Sequence, residues 1–270
     1  MLISIFAMLL YLVGVLLITP MLLKVQSGEQ AQRPNKTLFF LTALAAVVLH
    51  SVSLSPLLVN IVQGHNFTLM EFGSLVSVVV ALLATLAILL KVKTLWFLLP
   101  IVYCFAIINI ALAQFAPSHM VQHLTQNLGL LVHIFLALFA YAVCFMAMLY
   151  SIQLTWVDYN LKNKKTAFSP IIPPLMTVER HFFRVMLSGE LLLTLTLISG
   201  AIYLADFFAA QNIQKAIFSS LAWAVFGLLL IGHWKLHWRG KRMIIYTISG
   251  MILLSIAYFG SRAMLDIRIG

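Results

Sequence analysis

The sequence predicts an all-α membrane protein, a polytopic bundle of about eight transmembrane helices forming one membrane domain over residues 1–270. Three observations carry this fold class. Hydrophobic residues make up 63% of the chain and charged residues 9%, against about 25% charged in an ordinary soluble domain. Mean hydropathy is +1.05, which is more apolar surface than a soluble fold can hide. The apolar residues also fall in runs of about 20, the length at which a helix spans hydrocarbon while satisfying its own backbone. A β-barrel would instead show alternating segments of about 10 residues.

In order, the runs are roughly 2–23, 38–60, 71–90, 95–115, 129–154, 185–206, 217–236 and 243–262. The first, MLISIFAMLLYLVGVLLITPMLLK, lacks a basic leading segment and is followed by no Ala-x-Ala site, so it reads as a retained helix and not a signal peptide. Pro20 and Pro100 fall near run ends. Pro170, Pro173 and Pro174 punctuate the longest loop, 155–184. Of the 17 lysines and arginines, all but Lys215, Arg262 and Arg268 lie in or beside the loops at 24–37, 91–94, 155–184 and 235–242. Cations in short loops stay cytoplasmic. The expected topology therefore puts both termini on the outer side of the membrane, which is the periplasmic side of a bacterial inner membrane by the family resemblance given below. The net charge of +10 is accounted for by that topology. No Walker, zinc-finger or RNP motif points to nucleic acid.

Cys104 and Cys144 both sit in apolar runs and form neither CxxC nor CxxCH. This excludes a thioredoxin-like motif and a covalent c-type haem in this chain. They read as small buried residues. No Gly-rich phosphate loop, nucleophile elbow or paired catalytic carboxylate is present, so no enzyme is expected. The acids Glu29, Glu71, Asp158, Glu179 and Asp266 are expected near interfaces or in loops, and Asp206 at the end of the sixth helix. Glu190 lies about two turns into that helix. It either snorkels to Arg184 or faces a cavity.

The histidines carry more information. His50, His133 and His233 lie in apolar runs. His65, His119 and His123 fall in outward loops, and His181 and His237 are cytoplasmic or interfacial. A neutral imidazole in a bundle can simply bond a neighbouring helix. It is also a common axial ligand of haem iron. Two such ligands on one flat ring must share a depth. At 1.5 Å per residue, His133 lies roughly 6 Å inside the outer boundary and His233 roughly 5 Å inside the cytoplasmic one. These two cannot serve one haem. His50 is intermediate and can reach either level by helix tilt. His119 and His133 have a cytochrome b-like spacing, but Pro117 makes His119 a loop residue. His119 and His123 have no evident third partner, so no zinc or copper site is expected.

Three stretches resemble the cytochrome c assembly (CcsA-type) membrane proteins, together covering about 129–262. They are LLVHIFLALFAYAVCFMAMLYSIQL, RVMLSGELLLTLTLISGAIYLAD and WAVFGLLLIGHWKLHWRGKRMIIYTISGMILLSIAYFGSR. The resemblance implies a protein that binds or moves haem b, working with other cytochrome assembly proteins in the lipid bilayer. By motif, His133 matches an outer-face haem histidine and His233 an intramembrane one, so haem iron is the only metal implied. The family's tryptophan-rich WWD segment is replaced here by DFFAAQNIQKAIFSSLAW, and the end YFGSRAMLDIRIG has no histidine. The outer presentation site is thus degenerate, which leaves haem near His233, with His50 as a partner. The alternative is a non-enzymatic interaction or regulatory protein on a decayed haem-handler scaffold, in the manner of HemX-like relatives.

Overall fold

The computed structural model describes residues 1–27, 32–62, 68–90, 92–115, 128–162, 173–203 and 213–260. The described residues are almost wholly helical. The helices are α1 (Leu2–Ser27), α2 (Lys36–Ser53), α3 (Ser55–Val62), α4 (Leu69–Leu89), α5 (Leu99–Phe115), α6 (Leu128–Lys162), α7 (Leu175–Tyr203), α8 (Ile213–Leu236) and α9 (Lys241–Ser255). A 3-10 turn at Lys93–Phe97 leads into α5, and a π turn at Ile256–Gly260 continues α9. Seven of these helices are long and apolar enough to cross a membrane. Apolar α5, with 17 residues, is a little shorter, and the 3-10 turn ahead of it extends its run. The protein is a polytopic helical membrane bundle.

Local chemistry sets several helix ends. The Asn35 side chain accepts from the N–H groups of Thr37 and Leu38 and starts α2. Thr68 and Glu71 form a reciprocal capping box that starts α4. The expected helix at 38–60 is broken in two. Leu54 is a turn residue, and Pro56 is the second residue of α3, a position where its missing N–H costs nothing. Pro20, expected at a helix end, lies inside α1. The loop expected at 155–184 is much shorter, because α6 runs to Lys162 and α7 starts at Leu175. Hydropathy reports contact with lipid, whereas a helix continues into the polar interface as long as its backbone bonds continue.

The bundle has two halves. In the first, α1 packs on α2 and α5, and α4 on α2 and α5. Aromatic rings fill this centre: Tyr103 tilts against Tyr11 and Phe39, and Phe39 against Trp96. In the second, α6 and α7 form a long antiparallel pair flanked by α8 and α9. Phe72 of α4 stacks on Tyr258 at 5.7 Å, and Tyr141 of α6 meets the same ring edge-on, which ties the halves together. Hydroxyls exposed to an apolar surround bond back to their own helix, as Thr19 does to the Val15 carbonyl, Thr194 to Glu190 and Thr247 to Met243.

At the α8–α9 corner Trp234 and Trp238, four residues apart, do not share a helix face. The chain leaves the helix at His237, which has φ +52°. Trp238 folds back, its N–H donates to the Gly232 carbonyl, and its ring lies where a Gly232 side chain would be. The same ring stacks on Tyr246 and lies beneath Arg242. Arg239 then makes a two-pronged contact with Glu179, Nε to Oε1 and Nη2 to Oε2, each 3.0 Å. Glu179, expected in a loop, is therefore a buried residue of α7. This pair holds the basic turn against α7, and its hydrogen bonds keep the Arg239 guanidinium protonated even above its usual range.

Gly250 of α9 is covered by the Phe226 ring of α8, with no room for a Cβ. Gly250→Val should destabilise the protein by about 1–3 kcal/mol through overpacking, read as a lower thermal unfolding midpoint in detergent.

Candidate functional site

The bundle interior presents three histidines in different chemical states. His50 is wholly buried near the end of α2. Its Nε2 is 2.9 Å from the Ser74 hydroxyl of α4, and its Nδ1 is 3.4 Å from the Tyr11 hydroxyl of α1. Tyr11 also lies edge-on to the ring. Either neutral tautomer occupies both nitrogens. His50 thus joins α1, α2 and α4, and it can ligate a metal only by surrendering a hydrogen bond. Counted along α2 from Lys36, it lies roughly 21 Å from the basic end. This is an intermediate depth, since by the same count along α7 Phe183 lies roughly 12 Å and Ser199 roughly 36 Å from the basic end.

His133 lies just inside the start of α6, and its Nδ1 is 3.0 Å from the Ser199 hydroxyl of α7. That hydroxyl donates its one proton to the Thr196 carbonyl at 2.9 Å. Ser199 can then only accept from the ring. With the hydroxyl proton so placed, the imidazole proton sits on Nδ1 and the lone pair on Nε2. An orienting bond on one ring nitrogen that leaves the other basic is the usual preparation of a metal-ligating histidine. Ser199 and Thr196 could not be assigned this role from sequence. The only signal is a pair of small polar residues at matching depth in TLTLISG.

His233 lies in the last turn of α8. Its ring stacks on Phe183 of α7, with centroids 3.4 Å apart and planes at 17°. Its Nδ1 is buried without a hydrogen-bond partner. Such an orphaned nitrogen is costly in an apolar interior, and a metal would relieve it. Both His133 and His233 thus have the donor chemistry that a haem iron needs.

Helix α7 sets the distance between them. It meets His133 at Ser199 and His233 at Phe183, and these contacts are roughly 24 Å apart along its axis. One haem cannot bridge that span. Glu190 lies between the two levels, 8% exposed, with Oε2 unpartnered. It makes no ion pair with Arg184: among the described residues the ion pairs are Lys162–Asp158 and Arg239–Glu179. Cys144 is buried and Cys104 is exposed, and both are free. No cluster of three metal-ligating side chains occurs among the described residues. His65, His119, His123, Asp206 and the segments 204–212 and 261–270 lie outside the described residues.

A family model described as Cytochrome C assembly protein matches residues 37–268. The inner membrane protein YpjD of Escherichia coli strain K12 is 42% identical over 260 residues, covering 96% of each chain. The protein of the same name from Escherichia coli O157:H7 gives the same figures. An "Uncharacterized 28.8 kDa protein in nifR3-like 5'region" of Azospirillum brasilense is 26% identical over 162 residues, covering 59% of this chain and 60% of that one. No solved structure matches.

Two substitutions separate the roles of these rings. His50→Ala strands the Tyr11 and Ser74 hydroxyls and should cost about 1–3 kcal/mol of stability, seen as a lower unfolding midpoint. Ser199→Ala should leave the fold intact but release the His133 tautomer. Nitrogen-15 NMR of labelled histidine should then report a mixture where the parent shows the proton on Nδ1.

Proposed function

The chain belongs to the cytochrome c assembly protein family and is a multi-pass inner membrane protein; from that premise we propose that it binds haem and handles it for cytochrome c assembly. It does so as a binding protein and not as an enzyme. The ligand is haem b held without a covalent bond, since the chain has no CxxCH. Haem, when bound, would supply an iron that takes imidazole nitrogen as a ligand. His133 would offer Nε2 at one level and His233 would offer Nδ1 at the other. Ser199 holds the first ring in its tautomer, and Phe183 holds the second by stacking.

The observation that carries this reading is the pair of imidazoles near opposite ends of α7, His133 oriented by Ser199 and His233 with Nδ1 unpartnered. The basic loops face the cytoplasm by the positive-inside rule, so His233 is the inner site and His133 the outer one. Other cytochrome assembly proteins are the natural partners at the outer end. The absence of a tryptophan-rich segment between α7 and α8 favours a second reading, an interaction or regulatory protein on the same scaffold. Its mark would be a stoichiometric partner that still co-purifies with the His133→Ala/His233→Ala double variant.

Protein purified from haem-replete cells should show a Soret absorption band. His133→Ala and His233→Ala should each remove roughly half of it, because each ring serves its own level. His50→Ala should leave the spectrum unchanged per folded protein. A colourless parent preparation would overturn the proposal.

A further inference from the structure

Glu190 is absorbed neither by the fold nor by the two histidine levels. It lies where α6, α7 and α8 meet. The preceding residue, Gly189, leaves only enough room for the Cys144 thiol of α6: a Cβ there would come 2.8 Å from Sγ. Across from it, α8 presents Gly227, and a Cβ at that position would come 3.4 Å from Glu190 Oε1. The glycine leaves a slot that the carboxyl fills. Its backbone carbonyl accepts from Thr194, whose hydroxyl in turn accepts from the Trp223 indole N–H of α8 at 2.9 Å. The backbone at Glu190 is thereby linked to α8, yet its side-chain Oε2 is buried with no partner.

Among the described residues, the groups facing it bear no positive charge. From α6 comes the Cys144 thiol, within electrostatic reach of the carboxyl. From α8 come Gly227, without a side chain, and Trp223, already engaged. On α7 itself the nearest cation, Arg184, has an exposed side chain nearly two turns away. An ionised carboxylate so placed, without a cation, would carry a desolvation penalty of many kcal/mol, and such a group neutralises instead. Ionisable groups kept inside membrane bundles serve ion or proton pathways far more often than packing.

We propose that Glu190 is a proton-binding site in the membrane interior, which holds an exchangeable proton on its carboxyl between the two histidine levels. This does not depend on haem binding and stands whether or not haem is present.

Infrared difference spectroscopy between the haem-free parent and Glu190→Gln tests it on the whole chain. The expected result is a protonated-carboxylic-acid C=O band in the parent at pH 7–8, absent from the variant, that moves to lower frequency in heavy water. A difference spectrum containing only carboxylate bands would overturn the proposal, and so would a C=O band that heavy water leaves unmoved. Should Glu190→Gln fail to fold, the parent alone suffices. Dicyclohexylcarbodiimide adds to protonated carboxyls in apolar surroundings, and peptide mass spectrometry should place its adduct on Glu190. A parent with neither the adduct nor a protonated C=O band would refute the site.

Discussion

The antiparallel packing of α6 on α7 is the contact on which the rest of the second half depends. It brings Ser199 to His133 at one end and Gly189 to Cys144 in the middle. It leaves the far side of α7 to receive Phe183's stacking partner, His233, and the indole of Trp223 from α8. Small residues permit the approach. In a bilayer no hydrophobic force drives helices together, so close van der Waals fit and interhelical hydrogen bonds must do so. Gly189 and the Ser199 hydroxyl supply fit and bond between α6 and α7, while Thr194 bonds α7 to α8 and Gly250 fits α9 to α8. The same contact makes α7 a ruler, because whatever touches Phe183 and whatever touches Ser199 are kept apart by the rise of the helix.

Water is missing from this interior, so each polar group must find a partner within the protein. The first half obeys that demand fully at His50, whose two nitrogens are met by Tyr11 and Ser74. The second half obeys it incompletely. His233 Nδ1 and Glu190 Oε2 have no partner, and His133 has a partner that orients it while leaving its basic nitrogen free. On the proposed reading, the open histidines are the ones that would receive haem. That contrast among the three histidines is the physical core of the functional reading.

Much of the fold was legible in the sequence, because runs of apolar residues near the bilayer length admit few structures other than helices. The class, the position of the spans and their short basic connections followed from that alone. Helix ends were not legible. The start of α7 at Leu175 and the break at Leu54 depend on backbone bonding and on Pro56, to which hydropathy is blind. Nor does hydropathy show that the chain leaves the helix at His237, whose φ of +52° turns Trp238 back on Gly232. At the site, the three histidines stood out as polar residues in apolar runs. Their states did not, because those are set by partners far away in sequence: Ser199 for His133, Phe183 for His233, and Tyr11 for His50. Glu190 was visible as a buried acid, but which helix it faced was not.

The central claim is that the bundle holds two separate haem levels, each served by its own imidazole. Electron cryo-microscopy of the full chain reconstituted with haem tests it most directly. The account predicts two haem densities, one against His133 between α6 and α7 and one against His233 between α7 and α8. Their irons should be separated along the membrane normal by roughly the 24 Å that α7 imposes at its rise per residue. A single haem liganded by both rings, or haem density away from both, would contradict it.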